Sequence, residues 1–380
     1  MASNNQNTKE EQPSNSSTNT MRAWQYTKVG KSLASSLTLN PHARRPPTPL
    51  AADKLLVRVT HMSPNPADHK IPEIGRLASL ALTRSLTATP GMDYAGIVVE
   101  VGSKVNSPFS SSSSSSSSTS PSLSPAHTYK PGDAVFGRVE QTPFGTLAEY
   151  IQPSPEGCVP LPPGVSPEAA STLGTAAQTA YQVLHPFVRP GAGDEVFING
   201  GSGGVGTYAV QIAARVLGCV VTTSCSSRNV DLCASLGAST VLDYTTTNVT
   251  EALRARGRVF RLVVDGVGDS PADLYAAADD YLVPEGTFVQ IGGDFSLSAL
   301  RATASRATWP SVLGGGKRTY KFMSVHTRHE DLAKLAQWLQ EGKIQPVIDG
   351  DVIPFEEAPK AFEKLSTKRT RGKLVVKVSD

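Results

Sequence analysis

From residue 194 onward, short apolar runs alternate with stretches whose apolar residues recur every three or four positions. The runs lie at residues 196–198, 220–224, 240–243, 262–264, 287–291 and 320–325, each of strand length and separated by helix-period sequence. This alternation predicts an α/β fold with a doubly wound, six-stranded parallel sheet. After the first run, residues 205–217 carry Val205, Ala209, Ile212, Ala213 and Val216 on one helical face. Upstream the pattern changes. Residues 54–60 alternate, 96–101 are apolar, and 133–136 follow Pro131-Gly132, which predicts an irregular β-rich domain. A helix is expected over 166–188, opened by Pro167 and Glu168. Helices at 330–340 and 355–365 and a strand at 373–378 close the chain.

Between the first strand and its helix stands Asn199-Gly-Gly-Ser-Gly-Gly-Val-Gly206. Gly201-x-Gly203-x-x-Gly206 fits a dinucleotide-binding turn: a tight bend, close backbone approach to a pyrophosphate, and helix packed on strand. Gly201, Ser202, Gly203, Gly204, Val205 and Gly206 are therefore the candidate phosphate-binding residues, at the positive end of the helix. The end of the second strand selects the dinucleotide. An NAD site places a carboxylate there, but this chain has Cys225-Ser-Ser-Arg-Asn229, with no carboxylate until Asp231. Ser226, Ser227 and Arg228 suit a 2′-phosphate, so NADPH is the expected cofactor. Arg228 as a solvated residue opening the next helix is the competing reading.

The 380 residues suffice for two domains. A net charge of +3, without a basic patch interleaved with aromatics, gives no reason to expect nucleic acid. No apolar run has the length of a membrane span. The four cysteines, Cys158, Cys219, Cys225 and Cys233, lack metal-type spacing and suggest a reduced, intracellular protein. Residues 1–20 are polar and read as a disordered tail without a targeting signal, so cytoplasmic is the default location. Residues 107–128, nearly all serine at their centre, read as a disordered loop. The mixed segment 295–318 is left open between loop and short helices.

Four motifs in order carry a family resemblance over nearly all of residues 21–380: Asn65-Pro-Ala-Asp68, Pro90-Gly-Met-Asp-Tyr-Ala-Gly96, the glycine turn, and Glu341-Gly-Lys-Ile-Gln-Pro346 through Arg371-Gly-Lys373. The chain resembles the medium-chain dehydrogenase/reductase superfamily, in its zinc-free branch of quinone oxidoreductases and enoyl reductases. Residues 203–212 and 225–230, with Asp243-Tyr244, are similar to the reticulon-interacting type. The resemblance implies a GroES-like catalytic domain (21–175, completed by the return 326–380) and a Rossmann domain (176–325), with the active site in the cleft. Homodimers joined through nucleotide-domain edge strands are common in the resembled family.

Aligned by motif, the catalytic zinc positions of alcohol dehydrogenases fall on Asn65, Met92 and Thr175, and the four-cysteine structural zinc lobe is missing. An amide, a thioether and a hydroxyl do not make a zinc site, so no metal is expected. His61 and His69 flank the first slot as surrogate ligands of low weight. By resemblance, Asn65 contacts nicotinamide or substrate, Thr175 meets the nicotinamide carboxamide, and Tyr244 lies by the adenine or its 2′-phosphate. Tyr94 is the candidate cleft polar group, against an ordinary core tyrosine. A tyrosine found in some quinone oxidoreductases is replaced near Leu77, leaving the proton donor unassigned. Asp68 and Asp93 read as structural carboxylates, against a paired acid–base role, and Lys373 as a phosphate contact or a solvated basic turn.

The expected function is hydride transfer from NADPH to an activated C=C of a quinone, enone or enoyl thioester, without zinc. A metal-free carbonyl reductase and a non-catalytic NADPH-binding sensor or partner protein are the alternatives. The small-molecule substrate would carry a conjugated carbonyl.

Overall fold

The computed structural model describes residues 19–74, 85, 87–107, 127–140, 145–267, 273–291 and 318–380. Nearly all of the N-terminal tail and of the 107–128 and 295–318 segments, together with Leu77, lies outside the described residues.

The N-terminal half is β-rich. Strands β1 (Thr20–Gln25) and β2 (Thr38–Arg44) form an antiparallel pair. They are followed by β3 (Leu55–Ser63), β4 (Asp93–Val101), β5 (Ala134–Arg138), β6 (Tyr150–Ile151) and β7 (Cys158–Pro160). The following part of the chain supplies β8 (Glu195–Asn199), β9 (Val220–Cys225), β10 (Thr240–Asp243), β11 (Phe260–Asp265), β12 (Leu282–Ile291) and β13 (Thr319–Met323). Two C-terminal strands, β14 (Ile353–Pro354) and β15 (Val376–Lys377), return to the first half, where Val376 pairs with Met62 of β3. A seven-stranded sheet results, in the order β14-β15-β3-β4-β5-β7 with β6 beside β3.

The second sheet has six parallel strands in the order β10-β9-β8-β11-β12-β13. The chain leaves β8 toward β9 on one side and later enters β11 on the other. The order reverses at β8, and open α/β sheets bind ligands outside the carboxyl ends of strands at such a reversal. Each of the six expected strands is present, with ends shifted by up to five residues. The final strand is shorter than the 373–378 expected.

Two expected helices depart from regular α geometry. Residues 205–217 form a helix over Gly204–Gln211 that runs into a wider π turn, Ile212–Val216, and Gly218 at φ +67° follows it. The 166–188 stretch starts on Ser166, whose hydroxyl accepts the Ala169 N–H at 3.2 Å, and widens into a π turn at Leu173–Ala177 before Gln178–Leu184. Such single π turns are frequent at functional sites, and this one carries Thr175.

Gly96 of β4 sits opposite Val59, where the β3–β4 register shifts by one residue. A Cβ there would stand 2.2 Å from the Arg58 carbonyl oxygen and 2.8 Å from Val57 Cγ1. Gly96→Val should therefore destabilise the catalytic half by about 2 kcal/mol or more, the cost of overpacking against backbone. A lowered thermal unfolding midpoint, with a retained secondary-structure spectrum, is the expected measurement.

Candidate active-site cleft

The glycine turn follows β8 and bends at Gly200, which has φ +86°. A Cβ on Gly201 would meet Thr223 Oγ1 of β9 at 2.1 Å, and one on Gly206 would meet the Gly200 carbonyl oxygen at 2.1 Å. These two glycines let the turn lie on the sheet and the helix lie on the turn. Gly203, directly before the helix, differs: a Cβ there would find its nearest neighbour, Gly200 O, at an ordinary 3.5 Å. The protein leaves room at Gly203, and that room opens into a cleft of about 1160 Å³. The helix has no side-chain cap, so its first N–H groups are available to a ligand. Ser202, Gly203, Gly204, Val205 and Gly206 line the cleft; Gly201 does not, because it is packed against β9.

At one end the cleft wall is formed by Ser226, Arg228, Asn229 and Tyr244, with Lys368 and Arg369 from the C-terminal return. Asn229 Nδ2 donates to Ser202 Oγ at 3.1 Å, tying this loop to the glycine turn. Arg228 Nη2 donates to the Arg369 carbonyl at 3.3 Å. Three basic residues, Arg228, Lys368 and Arg369, thus line the same cleft as Ser226. Ser227 is not among the residues lining this wall, although Thr245, which it contacts, is. The Ser227 hydroxyl donates to Asp243 Oδ2 at 2.6 Å and contacts Thr245 Oγ1 at 2.7 Å. Parallel pairing of β9 with β10 brings Asp243 level with Cys225, a neighbour that the sequence order hides.

At the other end, Asn65, Thr175 and Lys373 line the cleft over a buried polar cluster. Asn65 precedes the helix Pro66–Ile74. Its Nδ2 donates to Asp93 Oδ2 at 2.9 Å and to the Ser63 carbonyl at 3.3 Å, and its Oδ1 accepts from Lys373 Nζ at 2.5 Å. Lys373 also donates to the Pro64 carbonyl at 3.0 Å and stands 3.7 Å from Asp93 Oδ2. Thr175 Oγ1 donates to Asp93 Oδ1 at 2.6 Å and accepts from Arg138 Nε at 3.2 Å. Asp68 closes the cluster, accepting the Asn65 backbone N–H at 2.7 Å. Burial pushes the Asp68 carboxyl up and pulls the Lys373 ammonium down from their usual values, in each case because the charged form has lost its water.

Lys373 and Arg138 are the members that sequence reasoning underweighted. Lys373 reads as a basic turn residue but is 3% exposed, and Arg138 is 7% exposed. Arg138 bears directly on the zinc slots. Its guanidinium reaches Met92 Sδ at 3.5 Å through Nη2 and Thr175 Oγ1 through Nε, so a fixed cation stands between two of the three aligned positions. An amide whose hydrogens are committed, a thioether and a hydroxyl, with a guanidinium among them, do not fit zinc. Among the described residues no three His, Cys, Asp or Glu side chains converge elsewhere as metal ligands.

Tyr94 lies away from the cleft residues. It is fully buried in the core of the β-rich half, and its hydroxyl donates to the Gly157 carbonyl at 3.1 Å. The core alternative holds because β4 directs this side chain into the interior and not toward the cleft. Among the described residues, no helix is long and apolar enough to cross a membrane.

Comparison with known proteins agrees with this architecture. Residues 51–163 match the alcohol dehydrogenase GroES-like domain family, and residues 236–376 match the zinc-binding dehydrogenase family. The chain is 39% identical over 366 residues to the trans-enoyl reductase pgmF of Aspergillus terreus, covering 95% of this chain and 97% of that protein. It is 29% identical over 303 residues to the mitochondrial NAD(P)H oxidoreductase RTN4IP1 of Bos taurus, covering 76% of this chain and 70% of that protein. Among solved structures, the quinone oxidoreductase from Coxiella burnetii superposes with a TM-score of 0.74 at 27% identity, covering 94% of this chain and 99% of that one. With its GroES-like sheet, its six-stranded Rossmann sheet and these relatives, the chain belongs to the medium-chain dehydrogenase/reductase superfamily and is an oxidoreductase that uses a nicotinamide cofactor.

Proposed function

We propose that the chain is an NADPH-dependent, zinc-independent reductase of activated C=C bonds, acting on an enone, a quinone or an enoyl thioester. The observation that carries this reading is the floor of the cleft, where the Arg138 guanidinium and a hydrogen-bonded amide occupy the place of a Lewis acid. Without a metal to polarise it, a plain carbonyl or alcohol lacks its usual activation in this fold. A conjugated carbonyl needs less help, because its β carbon is already electrophilic. A reduced nicotinamide supplies the hydride when bound. The protein's part is to hold pyrophosphate at the glycine turn, fix Asn65 and Thr175 at the reacting end, and keep that end dry. The name of the Aspergillus relative, a trans-enoyl reductase, supports a C=C over a C=O substrate.

Arg228, Lys368 and Arg369 support NADPH over NADH, since together they offer a planar fork and further positive charge at the ribose end. Arg228→Ala should cut the NADPH-over-NADH ratio of kcat/KM by about tenfold, as expected for one lost charge-assisted contact. An unchanged ratio would remove Arg228 from the 2′-phosphate site.

The test of the whole reading is oxidation of NADPH, followed by absorbance, against quinones, simple enones, enoyl thioesters and saturated carbonyls. Turnover confined to conjugated substrates, and unchanged by a strong chelator, is expected. Saturated aldehydes turned over equally well would favour carbonyl reduction, and NADPH binding without turnover would favour a binding protein. Gly203→Ala should weaken NADPH binding sharply while the unfolding midpoint stays near that of the parent, because a Cβ there meets only an ordinary protein contact at 3.5 Å.

A further inference from the structure

We infer that His69 is the proton donor of the reaction, delivering the proton from Nε2 to the substrate carbon next to the carbonyl. This rests on the C=C reductase reading above and assigns the step which that reading leaves without a residue.

Elimination comes first. The hydrogens of Asn65, Thr175 and Tyr94, the polar groups expected to act at the reacting end, are already committed. Both amide hydrogens of Asn65 go to Asp93 and the Ser63 carbonyl, the Thr175 hydroxyl hydrogen goes to Asp93, and that of Tyr94 goes to the Gly157 carbonyl. None of these groups has a proton to give without breaking the cluster that holds it.

His69 is different in kind. It stands four residues after Asn65, one turn into the helix that Asn65 precedes, and it lines the same cleft. Its ring is held from behind. Nδ1 lies 3.1 Å from Glu73 Oε2, and the other oxygen of Glu73 accepts the Leu33 N–H at 2.9 Å. A carboxylate only accepts, so Nδ1 carries the hydrogen of this bond and Nε2 is the atom left to exchange protons. Among the described residues Nε2 has no protein partner, and it is not one of the polar atoms sealed in the interior. The side chain is 11% exposed, and the cleft is the space it lines. An imidazole fixed by a carboxylate, with its second nitrogen unpartnered and its residue lining the cleft, suits a general acid. Glu73 is the positioning residue.

The step balances as follows. A hydride adds to the β carbon, and the C=C electron pair moves onto the carbonyl oxygen to give an enolate. The enolate reforms the carbonyl as its α carbon takes the proton from Nε2–H of the doubly protonated ring. The ring is left neutral with its hydrogen on Nδ1, held by Glu73, and regains a proton from water.

The test uses the full chain with NADPH and whichever conjugated substrate the wild type reduces. For His69→Ala, kcat should fall about 10²- to 10⁴-fold, the usual contribution of a positioned acid. The Kd for NADPH, read by fluorescence titration, should stay within about twofold. Added imidazole should restore part of the rate, which it would not do for a structural defect. In D2O the wild type should deuterate the α carbon with one configuration, whereas His69→Ala should give a mixture. His69→Gln, which keeps a donor to Glu73 but no acidic proton, should lose kcat in the same way if the alanine variant folds poorly. Wild-type kcat and α configuration in either variant would overturn the proposal. So would loss of NADPH binding in both, which would make His69 structural. A wild type that reduces no conjugated substrate would instead refute the underlying reading, and the two failures are distinguishable.

Discussion

The carboxylate of Asp93 is wholly buried, and the reacting end of the cleft is organised around it. It receives the Thr175 hydroxyl at 2.6 Å and the Asn65 amide at 2.9 Å, with the Lys373 ammonium 3.7 Å away. These partners come from the π turn, the start of the first helix and the C-terminal return, so one anion joins segments up to 308 residues apart through the Lys373–Asn65 contact. Removing a charge from water costs several kcal/mol, and the cost is offset only where geometry and hydrogen bonds are good. Here two carboxylates, Asp68 and Asp93, face two cations, Lys373 and Arg138, in one enclosed cluster. Any loosening of the fold that admitted the wrong register would strand a charge. The cluster therefore ties the catalytic half to its C-terminal return and fixes the cleft floor together.

The same constraint shapes the chemistry. Asn65 and Thr175, with their side-chain hydrogens committed to Asp93 and Ser63, are preorganised and for that reason poor proton sources. On the proposed reaction, hydride acceptance over Asn65 and Thr175 is separated from proton delivery at His69, one turn into the helix that follows Asn65. The guanidinium that completes the charge balance also stands between the positions where related dehydrogenases hold zinc. Electroneutrality of the buried cluster and unsuitability for a dication are two consequences of one residue, Arg138.

Much of this was legible in the sequence, and the illegible part has a common cause. Apolar period and the glycine turn located the six strands of the parallel sheet, because the central strands β8, β9 and β11 are buried along most of their length and the turn chemistry is local. What could not be read depends on which residues face one another across strands. Ser227 looked like a phosphate ligand until parallel register put Asp243 beside Cys225 and gave its hydroxyl a closer acceptor. Tyr94 follows Asp93 directly in β4, and adjacent strand residues point to opposite faces, so one joins the cleft cluster and the other the core. Lys373 looked like a solvated turn residue because its partners, Pro64 and Asn65, lie at the far end of the chain. The two π turns left no sequence mark, since a single widened turn preserves apolar spacing on either side.

The three fingerprint glycines can be separated by what excludes a side chain at each. At Gly201 it is the Thr223 side chain of the neighbouring strand, and at Gly206 it is the Gly200 carbonyl beneath the helix. Both are demands of the fold and would hold in a protein that bound nothing. At Gly203 neither strand nor turn objects, and a Cβ would sit in ordinary contact at 3.5 Å. A glycine carries an entropic cost in the unfolded chain that any other residue here would reduce. Its presence where the protein has room, at the uncapped start of a helix facing a large cleft, points to an occupant outside the protein that must approach the backbone closely. The Gly203 position thus argues for the dinucleotide independently of the motif that first suggested it.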